Sequence, residues 1–258
     1  GRKMDYEIFY QEAQGDRKNL KDSVGALSRL LRRVEQELES GDMKSLERDL
    51  KDMAAVAGQA SEGLEGLENQ VSDFDVREYL ESGDFEAQML EQCREQGVDV
   101  RGESQVYEMF PYRVRLDSEN QDIYLDRKKA SQVRPRSFVA MVKKNQEKLN
   151  RASFNAQTFL TELAGAYDLA VLKLGKRPES DIYLTSLYKF LAPMSRFRRE
   201  YDQQSFAYDL ARLYASQVEE TKNGRKYQFG PSRNNSKAIR ILDGEGQEQF
   251  LATIRFYE

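Results

Sequence analysis

The chain has 258 residues, of which 39% are hydrophobic and 33% charged; it contains one cysteine and no histidine. Without histidine, Ser-His-Asp and Cys-His nucleophiles, imidazole acid–base steps and histidine-containing zinc sites are excluded. The single cysteine excludes an internal disulfide and a four-cysteine zinc site within the chain, and it favours a reducing, cytoplasmic location.

Other features of the composition limit the membrane and cofactor classes. No apolar run approaches ~20 residues and no basic, hydrophobic leader precedes the first predicted helix, so we expect neither a membrane span nor a signal peptide. No phosphate-loop or dinucleotide fingerprint occurs, and we expect no cofactor and no bound metal. Cys93 lies on an apolar helix face, which predicts a buried core residue.

The first predicted elements are a short strand and a long helical hairpin. Met4–Tyr10 alternates weakly between polar and apolar residues, which favours a strand. From residue 18 to 72 apolar residues recur at alternating spacings of three and four, the heptad pattern of packed helices. Gly41 suits the left-handed residue that ends one helix and Asp42 can cap the next, so we predict an antiparallel, coiled-coil-like hairpin. Its apolar positions are Leu20, Val24, Leu27, Leu31, Val34, Leu38, Met43, Leu46, Leu50, Met53, Ala57, Ala60, Leu64, Leu67 and Val71.

The remaining elements predict an α+β fold in which helices predominate, with small antiparallel β-hairpins that could join one sheet. Asparagine and serine residues near 150–155 favour a break in the predicted helix at 135–175, because their side chains compete for backbone hydrogen bonds. We predict two regions, an acidic helical region at 1–98 containing the hairpin at 18–72 and a basic α+β domain at 99–258. Helices are predicted at 75–81, 84–96, 135–175, 182–191 and 196–218, and strands at 106–116, 123–125, 227–229, 238–242 and 250–257.

Charge is distributed unevenly between the two parts of the chain. Residues 1–126 contain 16 Lys or Arg and 30 Asp or Glu, whereas residues 127–258 contain 24 and 14. Basic side chains neutralise phosphates and neighbouring aromatic rings can stack on bases, so the basic part is a candidate nucleic-acid-binding region. The alternatives are a solvated basic face over an aromatic core, and a face that docks an acidic protein. The candidate residues are Arg127, Lys128, Lys129, Arg134, Arg136, Arg196, Arg198 and Arg199.

A candidate catalytic group lies across one predicted β-hairpin. Asp117 ends one strand and Asp126 ends the next, followed by Lys128. Two carboxylates that bind Mg²⁺ beside a lysine resemble the centre of metal-dependent nucleases of the restriction-enzyme type. The alternative is coincidence, because this spacing arises easily in a highly charged chain and both aspartates fall where turns favour aspartate.

The sequence therefore predicts a non-catalytic accessory or adaptor subunit of an intracellular assembly. We expect the hairpin to contact other protein subunits, or another copy of the chain, through Leu27, Leu31, Leu50 and Met53, and the basic part to contact DNA or RNA. A Mg²⁺-dependent nuclease using Asp117, Asp126 and Lys128 and a purely structural protein–protein scaffold remain as alternatives.

Overall fold

The computed structural model describes residues 3–193, 201–231 and 237–258. It is 58% helical and 17% strand, and it confirms the predicted α+β fold with an N-terminal helical hairpin followed by small antiparallel sheets. The helices are α1 Tyr6–Ser40, α2 Met43–Asp73, α3 Val76–Glu81, α4 Asp84–Gln96, α5 Pro135–Arg151, α6 Ala156–Lys173, α7 Leu184–Leu191 and α8 Gln203–Ala215. The strands are β1 Arg101–Glu103, β2 Val106–Met109, β3 Tyr112–Asp117, β4 Asp122–Leu125, β5 Lys128–Ala130, β6 Ile182–Tyr183, β7 Lys226–Gly230, β8 Ile239–Leu242, β9 Glu248–Leu251 and β10 Thr253–Tyr257.

The chain divides into two compact units that do not coincide with the predicted regions. The first unit contains Gly1–Gln92, Leu116–Ile123 and Lys129–Phe138, and the second contains Cys93–Arg115, Tyr124–Lys128 and Val139–Glu258. The predicted division into 1–98 and 99–258 remains a prediction about domains.

The strand predicted at Met4–Tyr10 is wrong, because α1 begins there. Asp5 is extended and its carboxylate accepts a hydrogen bond from the Glu7 backbone N–H at 2.8 Å, which caps the helix. Tyr6 and Phe9, three residues apart, both pack against Phe74, with ring centroids 5.6 and 5.0 Å away. This spacing of three is helical, and it outweighs the weak alternation of the segment.

The predicted turn between the two long helices is confirmed. Gly41 is left-handed, with φ of 75°, and its N–H donates to the Glu37 carbonyl at 2.9 Å. Asp42 caps α2 by accepting from the backbone N–H of Ser45 at 3.2 Å and from its hydroxyl at 2.7 Å. Two residues thus close α1 and α2 into an antiparallel hairpin.

An aromatic cluster forms the core of the first unit at the base of the hairpin. Rings of Phe74, Tyr79, Phe85 and Phe138 contact one another in sequence, with centroids 5.1 to 6.1 Å apart. Tyr79, Phe85 and Phe138 are fully buried. The cluster joins the end of α2 to α3, α4 and the start of α5.

In the described part of the chain, three separate antiparallel sheets replace the single sheet that the sequence pattern suggested. The strands β1 to β5 follow one another in one sheet, β10 lies between β6 and β7 in a second, and β8 pairs with β9 in a third. Because β10 is bonded on both edges by β6 and β7, no edge of it remains to receive β8 or β9. The expectation of one sheet was wrong.

The core of the second unit lies among α6, α7, α8 and the C-terminal strands, where Phe159, Leu163, Leu187, Phe206 and Phe256 are fully buried. The predicted break in the long helix is confirmed by the end of α5 at Arg151 and the start of α6 at Ala156. Asn155 caps α6, its side-chain oxygen accepting from the Thr158 N–H at 3.0 Å. Cys93 is buried as predicted, and burial raises the pKa of its thiol to about 11.

Candidate protein-docking face on the helical hairpin

The seam between α1 and α2 uses about half of the predicted heptad positions. Leu27 and Val34 face the partner helix as predicted, whereas Val24, Leu31 and Leu38 are exposed. Ser23, Leu30 and Glu37, each one residue earlier, take those places in the seam. The seam residues are Leu20, Ser23, Leu27, Leu30, Val34 and Glu37 on α1, and Leu46, Asp49, Met53, Val56, Ala60, Gly63, Leu67 and Gln70 on α2.

Contacts between the helices fix their register along the whole hairpin. Near the turn, the Arg33 guanidinium lies 2.8 Å from the Asp49 carboxylate. Near the base, the Gln70 side-chain amide donates to the Glu12 carbonyl at 3.2 Å. In each pair the two residues are equally far from Gly41 in sequence. The register between α1 and α2 is therefore the same near the turn and near the base.

The exposed heptad positions form a continuous apolar face on one side of the hairpin. The face consists of one row on each helix, and its residues directly follow seam residues, as Leu31 follows Leu30 and Leu50 follows Asp49. The two rows lie on the same side of the hairpin because a local two-fold axis relates the same heptad position on two antiparallel helices. The large side chains of the face are 49% to 67% exposed. From Met43 to Val71 the face extends over about 42 Å, at 1.5 Å per helical residue. We define the apolar face as Val24, Leu31, Leu38, Met43, Leu50, Ala57, Leu64 and Val71.

The register places the two rows level with each other. Leu38 lies beside Met43 next to the turn, Leu31 beside Leu50 one heptad further, and Val24 beside Ala57 after another heptad. The corresponding positions on the opposite side of the hairpin are mostly polar or small, and they are Asn19, Ala26, Arg33, Ser40, Ser45, Asp52, Gln59 and Gly66. Only one side of the hairpin therefore presents an apolar surface.

A buried polar layer crosses the seam near the turn, and the sequence prediction missed it. Asp49 is fully buried and binds Arg33, with Arg48 Nε at 3.4 Å. A hydrogen bond between the carboxyl groups of Glu37 and Asp49 raises the pKa of Glu37 and lowers the pKa of Asp49. The interaction thus favours the protonated form of Glu37 and the ionised form of Asp49. The sequence carried one signal for this layer, because Asp49 lies three residues after Leu46, which is the spacing of a heptad core position.

The four residues predicted to bind partners fall into two pairs. Leu27 and Met53 lie in the seam, where they hold α1 against α2. Leu31 and Leu50 lie on the apolar face, each 49% exposed. A role for these residues in partner binding remains a prediction, and the geometry gives only the second pair a surface from which to contact another molecule.

Each of the predicted catalytic aspartates accepts local hydrogen bonds of its own, and a shared metal site remains a prediction. Asp117 accepts from the backbone N–H of Asn120 at 3.1 Å and from its side-chain amide at 2.8 Å, within the β3–β4 turn. Asp126 accepts from the Arg113 backbone N–H at 2.9 Å, and burial raises its pKa.

Lys128, the third member of that group, is an exposed residue of β5, at the edge of the sheet. Lysine on an edge strand is a common means of preventing further strand pairing. Within residues 3–193, 201–231 and 237–258, no three acidic or cysteine side chains are grouped closely enough to hold a metal ion.

Arg134, from the predicted nucleic-acid-binding set, is engaged inside the first unit. Its guanidinium binds both carboxylate oxygens of Glu7, at 2.7 and 2.9 Å, and lies 4.2 Å from the ring centroid of Tyr10. The hydrogen bond from Arg134 lowers the pKa of the Glu7 carboxyl. Its position is therefore that of a residue holding α1 to the start of α5.

The other predicted basic residues are placed differently. Arg127, Lys128 and Arg136 are exposed, and Lys129 Nζ lies 2.9 Å from the Asp122 carboxylate. Arg196, Arg198 and Arg199 lie outside the described residues. The aromatic neighbours pack internally, since the Tyr188 hydroxyl donates to the Tyr201 carbonyl at 2.6 Å and its ring stacks on Phe206.

Two further arginines of the basic part are paired within the second unit. Arg225 binds both carboxylate oxygens of Asp168, at 2.9 and 3.0 Å. Arg240 forms ion pairs with Glu108 and Glu248. Part of the positive charge after residue 126 is thus compensated by neighbouring carboxylates.

Comparison of the chain with protein-family models, curated proteins and solved structures finds no match. Among the described residues, no helix is both long and apolar enough to cross a membrane.

Proposed function

We propose that the chain is a non-catalytic adaptor whose helical hairpin docks another protein through the apolar face. The single observation that carries this proposal is the row of half-exposed leucine, methionine and valine side chains at seven-residue spacing on both helices. Exposed single apolar residues are ordinary, but a continuous apolar surface on one side of a protein marks an interaction site.

The apolar face is not needed to hold the hairpin together. Leu46 and Val34, in the seam, are only 6% and 5% exposed and supply the contacts between α1 and α2. Side chains at Leu31 and Leu50 would contribute more buried apolar area when another protein covers them. The arrangement therefore leaves a regular knob-and-hole surface for additional helices.

A photo-cross-linking residue at Leu31 tests this proposal in living cells. We expect specific protein adducts from Leu31, identified by mass spectrometry. The matched control carries the same cross-linker at Gln59, which is exposed on the opposite side of the hairpin. Equal adduct patterns from the two positions, or no adduct from Leu31, would count against docking through the apolar face.

Nucleic-acid binding after residue 126 is a second candidate function, favoured by the exposed run that begins at Arg127 and Lys128. We expect weak binding of a single-stranded oligonucleotide that falls steeply as salt rises, because counterion release drives such binding. Fluorescence anisotropy should show weaker binding after reversal of both charges to glutamate. Reversal of Lys18 and Lys51 on the hairpin is the control, and an equal loss in the control would show that only net charge matters.

A further inference from the structure

We propose that the apolar face is covered by the same face of a second copy of this chain, packed antiparallel, with the two Ala57 residues meeting at the two-fold axis. This inference rests on the proposed docking function and names its occupant. The result is a four-helix arrangement in which α2 of one copy crosses α2 of the other and α1 faces α1.

The order of side-chain sizes along α2 is almost symmetrical about Ala57. Reading from the turn, the apolar face presents Met43, Leu50, Ala57, Leu64 and Val71. A two-fold axis through Ala57 therefore brings Leu50 of each copy to Leu64 of the other, and Met43 to Val71. Isologous contacts require this self-complementarity, and a docking site for an unrelated helix does not.

The surroundings of Ala57 allow two helices to approach closely at the centre. Ala54 and Ser61, one turn before and after it on the outer side of α2, are small and exposed. On α1 the level position is Val24, which would face its own equivalent. Leu50 and Leu64 then lie on either side of a close helix crossing, where the side chains of one helix pack into the grooves of the other.

The area of the face corresponds to that of a stable dimer. The α2 row is about 42 Å long and the α1 row, from Val24 to Leu38, is about 21 Å long; at roughly 10 Å per helix the two rows cover about 600 Å² per copy. Specific interfaces bury about 600–1,000 Å² on each partner. A single added helix would cover only the groove between the two rows and leave their outer edges in water.

Charge favours the antiparallel over the parallel arrangement. The half of the hairpin next to the turn, residues 24–58, contains six Lys or Arg and seven Asp or Glu. The half at the base, residues 6–23 and 59–73, contains three and eight. Parallel packing would place the two acidic bases together, whereas antiparallel packing places each base over the nearly neutral end of the other copy.

Disulfide cross-linking of Ala57→Cys in the full chain tests the proposed axis. Two residues on a two-fold axis at a close helix crossing bring their Cα atoms into the range of about 4.4–6.8 Å that a disulfide needs. We expect rapid, near-complete covalent dimer under mild oxidation. Gln59→Cys, exposed on the opposite side of α2, is the matched control and should form no covalent dimer; Cys93 is buried in both proteins.

Sedimentation velocity at micromolar concentration supplies the second measurement. The unmodified chain should sediment as a dimer, and Leu50→Asp should raise the dimer dissociation constant at least about tenfold while helix content stays unchanged. A monomeric chain whose Leu31 cross-linker still captures another protein would overturn this inference and leave the docking function intact. A monomer with no adduct would overturn both, and a dimer without the Ala57→Cys disulfide would overturn the antiparallel axis.

Discussion

Two leucines one turn apart on α2 should respond very differently to the same substitution. Leu46 is 6% exposed in the seam, whereas Leu50 is 49% exposed on the apolar face. Leu→Ala at a packed position costs about 2–5 kcal/mol, and a seam between only two helices belongs at the low end, about 2 kcal/mol. At Leu50 about half of the side chain is already in water, so the loss within one copy is below about 1 kcal/mol. The change in helix propensity is the same at both sites and cancels in the comparison.

Amide hydrogen exchange on peptides from α1 and α2 measures this difference locally, at a protein concentration low enough to keep the chain monomeric. In amides that exchange only when the hairpin opens, Leu46→Ala should accelerate exchange about 30-fold and Leu50→Ala less than about sixfold. These factors follow from the two free-energy losses, because 1.4 kcal/mol corresponds to a factor of ten. Equal acceleration by the two substitutions would refute the assigned seam, because it would mean that Leu50 also packs within the hairpin.

Two further predictions concern side chains from the sequence-predicted sites. Arg134→Lys keeps the charge but loses the paired contact with Glu7 and the position over Tyr10. We therefore expect about 1 kcal/mol of destabilisation in urea titration, against no change for Arg32→Lys at an exposed position of α1; equal effects would contradict the structural role of Arg134. Purified protein with Mg²⁺ or Mn²⁺ should cleave neither DNA nor RNA, and Asp126→Ala should cost about 0.5–1.5 kcal/mol of stability by removing the acceptor of the Arg113 N–H. Metal-dependent cleavage that is lost in Asp126→Ala would instead favour the nuclease alternative.

The hairpin could be predicted from sequence because its information is local. The heptad spacing, Gly41 and the cap at Asp42 all act within a few residues, and each has one structural meaning. The exact seam could not be predicted in the same way. Two neighbouring rows of α1 could form the seam, one with Leu31 and Leu38 and one with Ser23 and Glu37. Hydrophobicity favours the first row, whereas the second row lies in the seam. Only the contact with the second helix decides between them.

The candidate sites depended on contacts distant in sequence, which composition does not reveal. Arg134 belongs to a basic cluster when the chain is read linearly, yet it binds Glu7, 127 residues earlier. Asp117 and Asp126 suggested a shared metal site from their spacing alone, and the backbone N–H groups of Asn120 and Arg113 that donate to them could not be identified from the sequence. The residues of the apolar face belong to the predicted heptads, but the register of both helices must be known before they can be identified as exposed.

The polar layer should make the stability of the hairpin depend on pH. Because the pKa of Glu37 is raised, its hydrogen bond to Asp49 is fully present below the unfolded pKa near 4.5 and is lost as the pH rises through the folded value. The pKa of Asp49 is lowered, so its contribution is present above about 3.8 and is lost as the pH falls through the folded value. The hairpin should therefore be more stable at mildly acidic pH than at pH 8.

Glu37→Gln removes the titration while its amide still donates to Asp49. Thermal unfolding followed by circular dichroism should therefore give the variant a higher melting temperature than the unmodified chain at pH 8, with the difference shrinking as the pH approaches 4.5. Glu35→Gln makes the same change in charge at an exposed position two residues away and serves as the control. If Glu35→Gln reproduced the effect, net charge rather than the Glu37–Asp49 hydrogen bond would account for it. If the unmodified chain melted at the same temperature from pH 5 to 8, the shared proton would not contribute to the stability of the seam.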